Sequence, residues 1–121
     1  MTKNNRSIGR RGEDIACKFL KKDKYKILEK NFACRQGEID IIAEDRKGVL
    51  CFVEVKAKSS ENFGLPEEAV TPRKQRNLLA AAFNYIESKK VKSKDMRFDI
   101  VSVDLVNDKT RIIKNAFEVS V

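Results

Sequence analysis

The chain has 121 residues, 41% of them hydrophobic, and its 26 Lys+Arg against 18 Asp+Glu give a net charge of +8 with a sequence pI of about 9.5, which fits one domain over residues 1–121 with a densely ionic surface. There is no histidine, so Ser-His-Asp and Cys-His catalysis, histidine-ligated zinc and histidine-based nucleases are excluded, and chemistry must rest on Asp, Glu, Lys or Tyr. Three spaced cysteines without a CxxC pair (Cys17, Cys34, Cys51) read as reduced packing residues, and the lack of a long apolar run or signal-type N-terminus leads to an expected cytoplasmic location without a membrane partner.

Residues 1–7 are polar and basic and read as a mobile tail. From about Ile8 to Lys22, the residues Ile8, Ile15, Ala16, Phe19 and Leu20 fit one helical stripe. Glu13 lies about 90° from the centre of that stripe, on a flank where a carboxylate looks along the surface into a neighbouring cleft. Tyr25 to Phe32 reads as a short strand, with Asn31 beginning its end.

Gly37–Glu44 and Val49–Lys56 read as two further strands joined by Asp45-Arg46-Lys47-Gly48. Asp at the first position and Gly at the last suit a type I turn followed by a left-handed residue. A three-residue loop pairs Asp45 with Val49, and counting outward sets Asp40 opposite Glu54. Directly opposed residues of an antiparallel pair share a face, with Cβ atoms about 5 Å apart. A four-residue loop would instead put Asp40 beside Val53.

Ser59–Pro66 reads as a loop, and Thr71-Pro72 as an N-cap followed by proline at the first helical position. The helix is expected to run to about Lys89 and to bury Leu78, Leu79, Ala82, Phe83 and Ile86, with Gln75 extending that stripe toward the N-terminus. Lys89–Asp95 is a basic connector, Phe98–Val106 a strong strand and Arg111–Phe117 a last one. Helix, three strands, helix and two strands imply an α/β fold, a mixed sheet flanked by helices.

Within Val49–Lys56, Leu50, Phe52, Glu54 and Lys56 share one face and Cys51, Val53 and Val55 the other. A strand so apolar on both faces looks central, which leaves Glu54 and Lys56 on a half-buried surface where unpaired charge is costly. With Asp40 across from Glu54, two carboxylates and an ammonium gather on one face. Nearby carboxylates repel unless they share a proton or a cation, and Mg²⁺ satisfies them with a carbonyl, waters and substrate phosphate oxygens. Such an ion polarises a phosphate, and Lys56 would neutralise charge building on phosphorus. Phosphodiester hydrolysis is the reaction these parts suit. Asp99 is a third acidic residue, read as capping or pairing with Arg97.

Asp40 followed by Glu54-Val55-Lys56 resembles the D…E-x-K signature of restriction-endonuclease-like nucleases. Together with Gly12-Glu13, Gly37-Glu38-Ile39-Asp40, Pro66-Glu67-Glu68-Ala69-Val70, Arg97-Phe98-Asp99 and Asn115-Ala116-Phe117, it is similar to the YraN-like family of small bacterial proteins, over about residues 8–118. That family is related to archaeal Holliday-junction resolvases. The resemblance implies a restriction-endonuclease-like αβββαβ core in which Asp40, Glu54 and the Val55 carbonyl hold Mg²⁺, with Mn²⁺ as a substitute. It also implies that Lys56 assists the nucleophile, Glu13 completes the acidic cluster and Gln75 opens the following helix. Two departures stand out: Ile39 replaces the proline of a Pro-Asp pair, and Lys114 stands where many relatives carry histidine, so no role transfers to that position.

Lys3, Arg6, Arg10 and Arg11 lead into the helix bearing Glu13, while Lys56, Lys58, Arg73, Lys74 and Arg76 border the expected cleft. Basic residues around an acidic patch favour a nucleic-acid partner held through its phosphates, DNA ahead of RNA. Residues Ser59 to Gly64 are expected to touch the strand being cut. The leading expectation is a Mg²⁺-dependent endonuclease acting on DNA, including branched or structured DNA. The competing one is a non-catalytic DNA- or RNA-binding module on a nuclease fold. A homodimer is expected by analogy with resolvases.

Overall fold

The structure, a computed structural model, describes residues 2–60, 70–92 and 95–117, with side chains from residue 8 onward. Local chemistry sets its second hairpin. Asp45 Oδ1 accepts from the N–H groups of Lys47 and Val49 at 2.8 and 2.9 Å. Gly48 N–H donates to the Asp45 carbonyl and Asp45 N–H to the Val49 carbonyl, each at 3.0 Å. Gly48 sits at φ +83°, a conformation open to glycine at no steric cost. Strands β2 (Gly37–Glu44) and β3 (Leu50–Lys58) therefore pair in the expected register, Glu44 with Leu50 through Ile41 with Val53.

Helix α1 (Thr2–Lys22) precedes β1 (Lys26–Cys34), and helix α2 (Pro72–Ser88) connects β3 to β4 (Met96–Asp104), which turns back into β5 (Lys109–Ile113). The sheet order is β1-β2-β3-β4-β5. Among the described strands only β3 and β4 run parallel, as a helical crossover between two strands of one sheet requires. α1 lays Ala16, Cys17 and Leu20 against Ile41, Ala43, Cys51, Val53, Val101 and Val103. α2 covers the opposite face, with Leu78, Ala81, Ala82 and Tyr85 on Ile39, Ile42, Leu50, Phe52, Phe98 and Ile100. The expected mixed α/β architecture is thus present, with β3 central and buried on both faces.

Some expectations change. The backbone of α1 begins at Thr2, earlier than the expected Ile8; no proline interrupts the run. α2 buries Tyr85 and leaves Phe83 53% exposed. Small alanines let the helix sit close to the sheet, and the Tyr85 ring meets Phe32 and Phe52 edge-on at 5.3 and 6.2 Å. β4 stops at Asp104, short of Val106, because Asp104 Oδ1 accepts from the N–H groups of Val106 and Asn107 at 3.0 Å and makes a turn there. β5 ends at Ile113, short of Phe117; Asn115 at φ +52° turns the chain, and Phe117 stacks on Phe98 at 4.9 Å. The three cysteines are free, with Cys17 and Cys51 buried. No helix among the described residues is long and apolar enough to cross a membrane.

A buried polar network away from the β2–β3 acidic pair ties the hairpin turn to β4. The Arg97 guanidinium donates from Nε to both Asp99 oxygens at 3.0 Å, from Nη1 to Asp45 Oδ2 at 2.7 Å and from Nη2 to the Tyr25 hydroxyl at 2.8 Å. Asp99 is 1% exposed and also accepts from Asn115 N–H at 2.9 Å. The expected Arg97 pairing holds. Asp99 is a structural acid, held on the face opposite α2.

Candidate metal and catalytic site

The acidic pair arises where the β2–β3 ladder opens. Regular pairing ends at Ile41 with Val53, and the next residue outward on β2 is Asp40. Its Oδ2 accepts the Val55 N–H at 2.8 Å, standing in for a main-chain partner. In an extended strand a residue's N–H and C=O point to the same edge, so the Val55 carbonyl also faces this gap. Asp40 makes a side-chain hydrogen bond with Glu54, as the common face of the two residues requires. Glu54 is only 4% exposed.

Burial pushes the Asp40 carboxyl up to about 8, and the neighbouring Glu54 charge and hydrogen bond add to that rise, while the Val55 N–H opposes it. A protonated Asp40 donating to Glu54 is how the pair shares its charge without a cation. Lys56 Nζ lies 3.4 Å from Glu54 Oε2. Burial draws the Lys56 ammonium below its ordinary value, Glu54 opposes that fall, and the nearby Lys74 charge reinforces it. Asp40, Glu54, Val55 and Lys56 are thus brought together as the hairpin register demands.

Glu13 stands beside this group, not within it. Its carboxylate is hydrogen-bonded to Asn31 and acts on Asp40 through its charge. Burial raises its pKa and the Glu38 charge adds to that, against the Asn31 bond. Its position depends on Gly12, where α1 comes so close to β3 that an added Cβ would lie 2.6 Å from the Ala57 Cβ. Among the described residues no three carboxylate or thiol groups converge to metal-holding distance. Magnesium does not require three, since it takes one or two carboxylates and completes its shell with waters and phosphate oxygens. Two carboxylates and a carbonyl, all oxygen donors, fit that ion.

Gln75 Nε2 donates to the Val70 carbonyl at 3.0 Å, anchoring the start of α2. Its neighbour Lys74, read from the sequence as a phosphate contact, reaches Glu54 Oε2 instead. Burial lowers its ammonium, but contact with Glu54 outweighs this and leaves its pKa raised. Lys58 is paired with Asp104 at 3.5 Å, whereas Arg10, Arg11 and Arg73 are exposed. The side chains of Lys3 and Arg6, and residues 61–69 with part of the Ser59–Gly64 segment and of the Pro66–Val70 motif, lie outside what is described.

Asn31 is the other residue that sequence reading passed over. It lies between the Lys30–Ile41 and Phe32–Ile39 pairs, across from Asp40, and holds φ +54° in mid-strand. Asn tolerates that left-handed region better than most residues. The twist turns its side chain to Glu13. Its reading as the beginning of a strand end was the one signal available.

A family profile described as "Uncharacterised protein family UPF0102", the YraN family, matches residues 12–103. Among curated proteins, a UPF0102 protein of Clostridium perfringens (strain SM101 / Type A) is 45% identical over 123 residues, covering 98% of this chain and 100% of its own length. A UPF0102 protein of Geobacter metallireducens is 42% identical, with 99% of each chain covered. One of Persephonella marina is 46% identical over 110 residues, with 91% of this chain and 92% of its own covered.

Proposed function

Starting from a chain that belongs to the uncharacterised protein family UPF0102, we propose a divalent-metal-dependent endonuclease that hydrolyses phosphodiester bonds of DNA, with branched or structured DNA as its substrate class and a homodimer making paired cuts. The observation that carries this reading is the opened β2–β3 ladder, where Asp40 and the buried Glu54 meet beside the Lys56 ammonium. Asp40, Glu54 and the Val55 carbonyl would hold Mg²⁺, or Mn²⁺ in its place. Bound there, the ion supplies polarisation of the scissile phosphate and acidification of a water.

The remaining work belongs to side chains. Lys56 presents a positive charge where negative charge grows on the phosphate oxygens, and a partly dry face strengthens that attraction. Glu13, held by Asn31, adds negative charge behind Asp40 and so favours a cation between the strands. Exposed Arg10, Arg11 and Arg73 would bind the backbone of the nucleic acid through its phosphates, giving salt-dependent affinity with little sequence preference.

A second reading has a specific observation behind it. Two lysines already neutralise Glu54, as in a nuclease fold that binds DNA or RNA without cutting it. Incubating the purified protein with plasmid and four-way-junction DNA, with and without Mg²⁺, separates the two. The endonuclease yields Mg²⁺-dependent products that Glu54→Ala and Lys56→Ala abolish. Salt-sensitive binding without any metal-dependent product selects the binding module, and cleavage that survives both substitutions removes the site assignment.

A further inference from the structure

Two ammonium groups converge on one oxygen. Lys56 Nζ lies 3.4 Å from Glu54 Oε2, and Lys74 Nζ contacts the same atom. Meeting at a single oxygen, the two amines also act on one another, and like charges so placed repel. Lys56 is tied to this face, two residues beyond Glu54 on the same strand. Lys74 comes from the first turn of α2, on a side chain 40% exposed against 28% for Lys56. Its main-chain N–H is separately fixed by the Thr71 hydroxyl at 3.2 Å, so its long side chain can move without disturbing the helix start. Glu54, with a side chain 5% exposed, needs a cation whenever nothing else supplies one.

We propose that Lys74 is a built-in counter-ion on Glu54, which a divalent cation must displace and whose released ammonium then engages the phosphates of a bound polyanion. This rests on the reading of Asp40 and Glu54 as a metal pair. Lys74 is a positioning residue in this scheme: it makes metal and polyanion binding mutually reinforcing, because each relieves a charge that the other leaves unpaired. An ion arriving alone must evict Lys74 into water, whereas an ion arriving with a phosphate chain gives the amine a new partner. Without nucleic acid, the site resists loading.

The test is Mn²⁺ binding to the whole protein, by calorimetry and by the shift in unfolding midpoint, for wild type, Lys74→Gln, Lys74→Arg and Asp40→Asn. Lys74→Gln should bind Mn²⁺ about tenfold more tightly, the ion no longer competing with an ammonium at close range. Lys74→Arg keeps a cation on Glu54 and should bind no more tightly than wild type. A nuclease-resistant phosphorothioate duplex should tighten Mn²⁺ binding to wild type but not to Lys74→Gln. Equal or weaker binding by Lys74→Gln, with Asp40→Asn still abolishing it, overturns the role of Lys74 and leaves the metal pair standing. Should Lys74→Gln fail to fold, tighter binding by Lys74→Arg overturns the proposal in its place. Mn²⁺ that binds neither wild type nor Lys74→Gln, or binds Asp40→Asn as well as wild type, removes the metal pair and the counter-ion together.

Discussion

Replacing Asp40 by Asn should stabilise the metal-free protein, and the gain should depend on pH. Asparagine keeps an oxygen for the Val55 N–H, which Asp40 now accepts at 2.8 Å, and offers Glu54 an N–H with no charge to repel it. The Asp40 carboxyl rises from its ordinary 3.8 to about 8, through burial first and the Glu54 charge second. At about 1.4 kcal/mol per tenfold change, this sets an upper bound of about 6 kcal/mol on the cost of ionising it in place. Relaxation and water entry reduce that, and a realised gain of about 2 kcal/mol is expected. Because the folded-state value lies above the unfolded one, the folded chain retains the proton between pH 4 and pH 8. Wild-type stability therefore falls as pH climbs through that window, and Asp40→Asn escapes the fall. Urea unfolding in EDTA at pH 4, 6 and 8 measures it. The variant and wild type should nearly coincide at pH 4 and separate by about 2 kcal/mol at pH 8, or roughly 6–10 °C in Tm for a domain of this size. An equal loss of stability in the variant at every pH would show that Asp40 is an ordinary hydrogen-bonded acid and refute the charge repulsion.

Two further outcomes follow from the scaffold. Gly12→Val should cost about 1–3 kcal/mol by overpacking, since even the first added carbon meets Ala57 at 2.6 Å; a variant with unchanged urea midpoint would show that α1 is free to lift from β3. Arg97→Met should cost about 3–5 kcal/mol, because it strands the buried Asp99 without its ion partner; a loss below about 1 kcal/mol would mean the network around Asp45 and Tyr25 does not fasten the hairpin.

The hairpin was legible because its signals are local. Asp45 and Gly48 dictate the turn, the turn dictates the register, and the register delivers Asp40 to Glu54. The start of α2 was equally plain, Thr71 accepting from Lys74 N–H with Pro72 at the first position. The rotation of α2 was not. The expected stripe of Leu78, Leu79, Ala82, Phe83 and Ile86 shares Leu78 and Ala82 with the buried one, which adds Ala81 and Tyr85, keeps Leu79 and Ile86 only partly buried and leaves Phe83 exposed. Close approach of alanines and two edge-on ring contacts decide between them, and both are tertiary. With α2 so seated, Lys74 meets Glu54 and Gln75 the Val70 carbonyl. Asn31 escaped notice for a related reason: its left-handed φ has meaning only once Glu13 is known to lie beside it.

The acids come from a single hairpin, whereas the second amine is delivered by the crossover helix that follows. Because α2 is seated on the sheet by Leu78, Ala81, Ala82 and Tyr85, the reach of Lys74 to Glu54 answers to core packing on that face, whereas Asp40, Glu54 and Lys56 answer to the turn. A substitution deep under α2, far from any charge, would therefore retune the balance of charge around Glu54 and leave the hairpin untouched.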